Sequence, residues 1–114
     1  KDGHLQSQQT TAPTIAVAAG DIATGATLTN ATDMAGKISI TPKAAGTGIA
    51  ATITFNKIYI VAPVVILTPT NAQAAIKDDN IFVASTPATF IINVATAMGS
   101  TTAVTYNYHV IETQ

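Results

Sequence analysis

The chain has 114 residues, 10% of them charged and 47% hydrophobic, with a formal net charge of −1. That charged fraction is well under the roughly 25% of an ordinary soluble domain, and the lysines (Lys1, Lys37, Lys43, Lys57 and Lys77) are too scattered for a phosphate-binding patch, which excludes a nucleic-acid partner. Cysteine is absent, so disulfides and thiolate metal sites are excluded, and no apolar run approaches the roughly 18 residues of a membrane-spanning helix, so no membrane insertion is expected.

Residues 1–13 are a polar lead-in ending at Pro13 and read as a linker or arm from an upstream region; residues 14–114 read as one domain. With no starting methionine and no signal-peptide pattern, the chain reads as a piece of a longer protein. Short strands are predicted at about 14–18, 26–30, 36–41, 49–55, 63–68, 80–86, 89–95 and 102–111. Turn residues separate them: Gly20-Asp21, Thr24-Gly25, Asn30 to Gly36, Pro42 to Gly48, Pro69 to Asn80, Thr86-Pro87 and Met98-Gly99-Ser100. The alanines of Asn71 to Lys77 favour one helical turn. Eight short strands with turns between them predict an all-β, antiparallel β-sandwich of jelly-roll or Greek-key type.

The alternation of side chains assigns faces. Ala51, Ile53 and Phe55 share one side of their strand, and Thr52 and Thr54 the other. In the last strand Val104, Tyr106, Tyr108 and Val110 form the core-facing set, leaving Thr105, Asn107, His109 and Ile111 outside. Val64 to Leu67 and Phe90 to Val94 are apolar on both or nearly both sides. An isolated sandwich would leave one of those sides wet, so Val65, Leu67, Ile91, Asn93, His109 and Ile111 are expected at an oligomer interface. A nearly neutral chain opposes self-association little.

The polar candidates are few. His4 and His109 are the only histidines, far short of the three or four ligands of a metal site, and read as surface or interface residues. Lys77-Asp78-Asp79-Asn80 lacks the further acids and the glycine of a calcium loop and reads as a turn in which Asp and Asn satisfy their own backbone. Asp33, shortly before Gly36, reads as the acceptor of its own turn, and it and Glu112 are carboxylates that folding is free to bring together. Gly46-Thr47-Gly48-Ile49-Ala50-Ala51 fits a dinucleotide fingerprint in letters but feeds a β-branched run instead of opening a helix. There is no Gly-x-Ser-x-Gly nucleophile elbow and no obvious acid–base pair. The expectation is a domain that is not an enzyme and takes no cofactor or metal.

Several blocks carry a resemblance: Gly3-His4-Leu5-Gln6 with Thr10-Thr11-Ala12-Pro13, Ala31 to Ile38, Phe55…Tyr59…Pro63-Val64, and Tyr106-Asn107-Tyr108-His109-Val110-Ile111-Glu112. Together they resemble the C-terminal domains of bacteriophage tail fibres and tailspikes, and the Phe…Tyr…Pro-Val pattern is similar to H-type lectin domains. The resemblance implies a homotrimeric β-sandwich fibre tip on the phage virion, extracellular after release, that clamps the trimer and helps attach to a host-cell glycan or other receptor. Tyr59, Asp78, Asp79 and Asn80 are the expected receptor contacts. In a bacterial host the Asn30-Ala31-Thr32 sequon stays unmodified. The alternative is a lectin-like module binding capsule or lipopolysaccharide directly, although the chain has no tryptophan on which to stack a sugar.

Overall fold

In the computed structural model the described residues are 9–17 and 22–113. His4, most of the polar lead-in, Ala18, the Gly20-Asp21 turn and Gln114 lie outside them. The remainder forms eight strands: β1 (Thr14–Ala16), β2 (Ala23–Thr29), β3 (Ala35–Pro42), β4 (Gly48–Thr54), β5 (Val64–Pro69), β6 (Ile81–Ser85), β7 (Thr89–Val94) and β8 (Val104–Ile111). Each overlaps a predicted strand, but β2 begins at Ala23, so Thr24-Gly25, expected as a turn, lies inside it at a register shift between Ala23 and Gly25. The strands make two four-stranded antiparallel sheets packed face to face, in the orders β1-β4-β7-β6 and β2-β3-β8-β5. The predicted all-β sandwich is therefore the fold. Only β2–β3 and β6–β7 pair with the next strand in the chain; every other connection crosses from one sheet to the other.

Alternation decides what enters the core. Ile38 and Ile40 of β3, Ala51 and Ile53 of β4, Phe90, Ile92 and Val94 of β7, and the four predicted residues of β8 are all buried. Phe55, Phe90 and Tyr108 continue as a run of ring contacts, with centroids 5.7 and 5.3 Å apart. The β4–β7 register shifts between Ile49 and Ala51, so that consecutive Ala50 and Ala51 are both buried while Ile49 turns outward. Such a bulge resets the two-residue period of a strand. The Gly-rich loop leads into β4, as its β-branched continuation requires, with Gly46 and Gly48 at φ +101° and +129°.

The single predicted helical turn is α1 (Ala72–Ile76). Asn71 caps it: its Oδ1 accepts from the Ala74 amide at 2.8 Å, and its Nδ2 donates to the Ala103 carbonyl at 3.1 Å. Side-chain capping of this kind satisfies amides that a short helix leaves unpaired. Ala74 then enters the core at the end of the sandwich where Met98 is also buried.

Strand β5 corrects one assignment. Val65 and Leu67 pair in register with Val110 and Tyr108 and pack against the core, so they point inward. The outward residues are Val64, Ile66 and Thr68, and Val64 and Ile66 are both exposed in the single chain. Four consecutive apolar residues carry no alternation from which the face could be read.

Candidate functional site

One end of the sandwich is organised around Asp33. This residue sits between β2 and β3 and is only 7% exposed. Its carboxylate accepts from two consecutive amides of the β4–β5 loop, Asn56 to Oδ1 and Lys57 to Oδ2, both at 2.8 Å. Bonds from N–H groups to a charged acceptor are about twice as strong as neutral ones, which suits a buried charge that must be compensated. The Asp33 amide donates to Gln9 Oε1 at 2.7 Å, and the Asp33 carbonyl accepts from the Tyr59 hydroxyl at 3.0 Å. Asp33 is therefore a long-range clamp, not the acceptor of its own turn. The local turn is closed by Thr32, whose Oγ1 accepts from the Met34 and Ala35 amides at 3.1 and 3.2 Å.

Around this clamp Gln9, Asp33, Lys57, Tyr59, Ile60 and Glu112 line a cleft of about 400 Å³. Folding does bring Asp33 and Glu112 to one place, as separate walls of the cleft. Tyr59 packs edge-on against Phe55 with centroids 4.8 Å apart, and its amide donates to the Pro87 carbonyl at 2.8 Å. Burial raises its phenol above the usual pKa, and the negative charges of Asp33 and Glu112 add to that rise. The loop is thus pinned at Asn56, Lys57 and Tyr59, while Ile58 and Ile60 stand 75% and 81% exposed on it.

The other proposed receptor residues lie elsewhere. Asp78 and Asp79 are exposed in a short 3-10 turn (78–80) just before β6, and Tyr59 lies beside the hairpin that follows β6. The four residues expected to contact a receptor are therefore divided between opposite ends of the sandwich. Asn80 does not satisfy its own turn: its Nδ2 donates to the Thr96 and Ala97 carbonyls at 3.2 and 3.1 Å, tying the turn to the β7–β8 loop.

The expected interface residues are also divided. Ile91 and Asn93 face outward from the β1-β4-β7-β6 sheet, whereas His109 and Ile111 face outward from the other sheet. Among the described residues no three His, Cys, Asp or Glu side chains group as metal ligands, and no helix is long and apolar enough to cross a membrane. Tyr59 is the one expected receptor contact in the cleft; Gln9, Asp33, Lys57, Ile60 and Glu112 were not picked as contacts from the sequence. Only the three-dimensional closure of Asp33 on the β4–β5 loop puts them there.

The class that the fold defines is the antiparallel β-sandwich. Comparison of the chain with models of protein families, with curated proteins and with solved structures returns no match.

Proposed function

We propose that this is a non-enzymatic, self-associating domain of the kind that ends phage tail fibres and tailspikes, forming a homotrimer on the virion and contributing to attachment to a host-cell receptor. The observation that carries the self-association is the chemistry of the outer faces. Lys37 is the only Lys, Asp or Glu in the eight strands. Outward-facing Val64, Ile66, Phe82 and Ile111 are each exposed in the single chain. Exposed apolar surface of this extent on a nearly neutral protein marks a contact face. The resemblance of the Ala31–Ile38, Phe55–Val64 and Tyr106–Glu112 blocks to phage fibre domains supports the class. The buried Asp33 carboxylate, occupied by two amides, supports a structural role over catalysis.

A second reading has its own support. The Lys57–Tyr59–Glu112 cleft mixes charged, aromatic and aliphatic groups, a lining suited to a polyhydroxylated ligand such as a bacterial surface glycan. Light scattering coupled to size-exclusion chromatography tests the first reading. A particle of three times the chain mass is expected, and a monomer at micromolar concentration overturns it. Saturable glycan-array binding that Glu112→Ala weakens would establish the lectin reading instead.

A further inference from the structure

Both outer faces change chemistry in the same direction. On the β1-β4-β7-β6 sheet the outward residues near β1 include Thr14, Thr52 and Thr54, and toward β6 they become Ile91, Ala84 and Phe82. On the other sheet they begin with Thr27, Ser39 and Thr41 near β2 and reach Ile111 of β8 and Ile66 and Val64 of β5, with Thr68, Asn107 and His109 as the polar residues beside them. Strands β5 and β6 are the edges of their respective sheets. They lie together on one side of the sandwich, where the Ser85 hydroxyl donates to the Pro63 carbonyl. The two apolar flanks therefore border a single side of the molecule, while threonine covers the side around β1 and β2.

Given the self-association proposed above, we infer that copies of this chain join head to tail, the β5–β8 flank of one against the β6–β7 flank of the next, with the β5–β6 side turned toward the axis of a closed ring. A symmetric pair using one flank twice would bury that flank and leave the other wet. A heterologous contact buries both and closes when the flanks converge. The strands of the two flanks carry no Lys, Asp or Glu, Lys37 being on β3 and separated from the β5 edge by β8; their polar outward residues include Asn93 on β7 and Asn107 and His109 on β8. Closing the contact therefore strands no buried lysine or carboxylate. Ile58, Ile60 and Val61, exposed on the loop that leads into β5, add further apolar surface at the Asp33 end.

The test uses two single variants and their mixture. Ile66→Lys spoils the β5 flank and Phe82→Lys the β6 flank, both at exposed positions where the subunit tolerates a lysine; circular dichroism melts confirm that each still folds. Light scattering is expected to find each variant monomeric. An equimolar mixture is expected to give a 1:1 dimer, because each variant keeps the flank that the other has lost and the pair cannot close. Thr27→Lys, on the threonine side, is expected to leave the wild-type mass unchanged. A variant that keeps the full wild-type mass, a mixture that stays monomeric or loss of assembly in Thr27→Lys overturns this geometry, even where the wild-type chain assembles. A monomeric wild-type chain overturns the self-association reading as well.

Discussion

Tyr106 and Tyr108 stand two residues apart on the same face of β8, both buried, and their hydroxyls have different fates. Tyr108 pairs in register with Gly36, and its hydroxyl donates to the Thr32 carbonyl at the Asp33 end. Tyr106 pairs with Ile38, and its hydroxyl is buried without a hydrogen-bond partner among the described residues. The Asp33 end is thus a polar network built to be satisfied. The middle of the same strand spends a phenol on volume alone, a burial that costs free energy without a compensating bond. Identical residues on one strand face serve as a latch in one place and as filler in the other.

The contrast is broken most severely at Asp33. Replacing it with alanine removes both acceptors of the β4–β5 loop, and a loss of about 3 kcal/mol is expected from two bonds to a charged group; urea unfolding measures it, and Asp33→Asn should lose less. Next comes Gly36→Ala. Its new Cβ would lie 2.7 Å from Tyr108 Cε2, 2.8 Å from the Tyr108 hydroxyl and 2.9 Å from the Ala31 Cα. Overpacking of this kind costs about 1–3 kcal/mol, so thermal melting should show a clear fall in Tm, and a Tm equal to wild type would mean that both the tyrosine and the backbone at Ala31 are free to move aside.

The tyrosines themselves sharpen the comparison. Tyr108→Phe should cost about 1 kcal/mol by deleting a hydrogen bond, whereas Tyr106→Phe should be neutral or slightly stabilising because it removes an unpaired buried hydroxyl. In the folded chain burial, aided by the charge of Asp78, pushes the Tyr106 phenol up to about 12, and burial with Asp33 and Tyr59 raises Tyr108 further. Unfolded tyrosine loses its proton near pH 10, so above that pH the unfolded state binds fewer protons. Stability should fall as pH rises from about 10 through 12. Either Phe variant should flatten that alkaline decline when melts are repeated across the range.

The strands were legible because Thr alternates with Ile in β4, because Val and Tyr alternate with Thr, Asn and His in β8, and because turn residues separate most neighbouring strands. The core-facing set of β8 and the helical turn after Asn71 follow from those local rules. The faces of β5 were not legible, since four successive apolar residues give no phase. The Asp33 clamp was hidden for a different reason. Its partners lie more than twenty positions away, and a short-range turn explains the same residue equally well until the backbone is seen. The division of Tyr59 from Asp78 is likewise a consequence of strand direction, which composition does not encode.

The position of β8 has a consequence for synthesis. It lies between β3 and β5, pairing Lys37 with Asn107 and Ile66 with His109, so its sheet cannot close until β8, which follows the other seven strands in the chain, has been made. Before then the β1-β4-β7-β6 sheet has all of its strands, whereas in the other sheet only the β2–β3 hairpin has its neighbour at hand. Contacts joining distant parts of the chain are slow to form, and the strands waiting for them, charged only at Lys37, are open to the wrong partners. A chain cut before Val104 would therefore keep the strands of one sheet and leave the β2–β3 hairpin and β5 of the other without the strand that joins them.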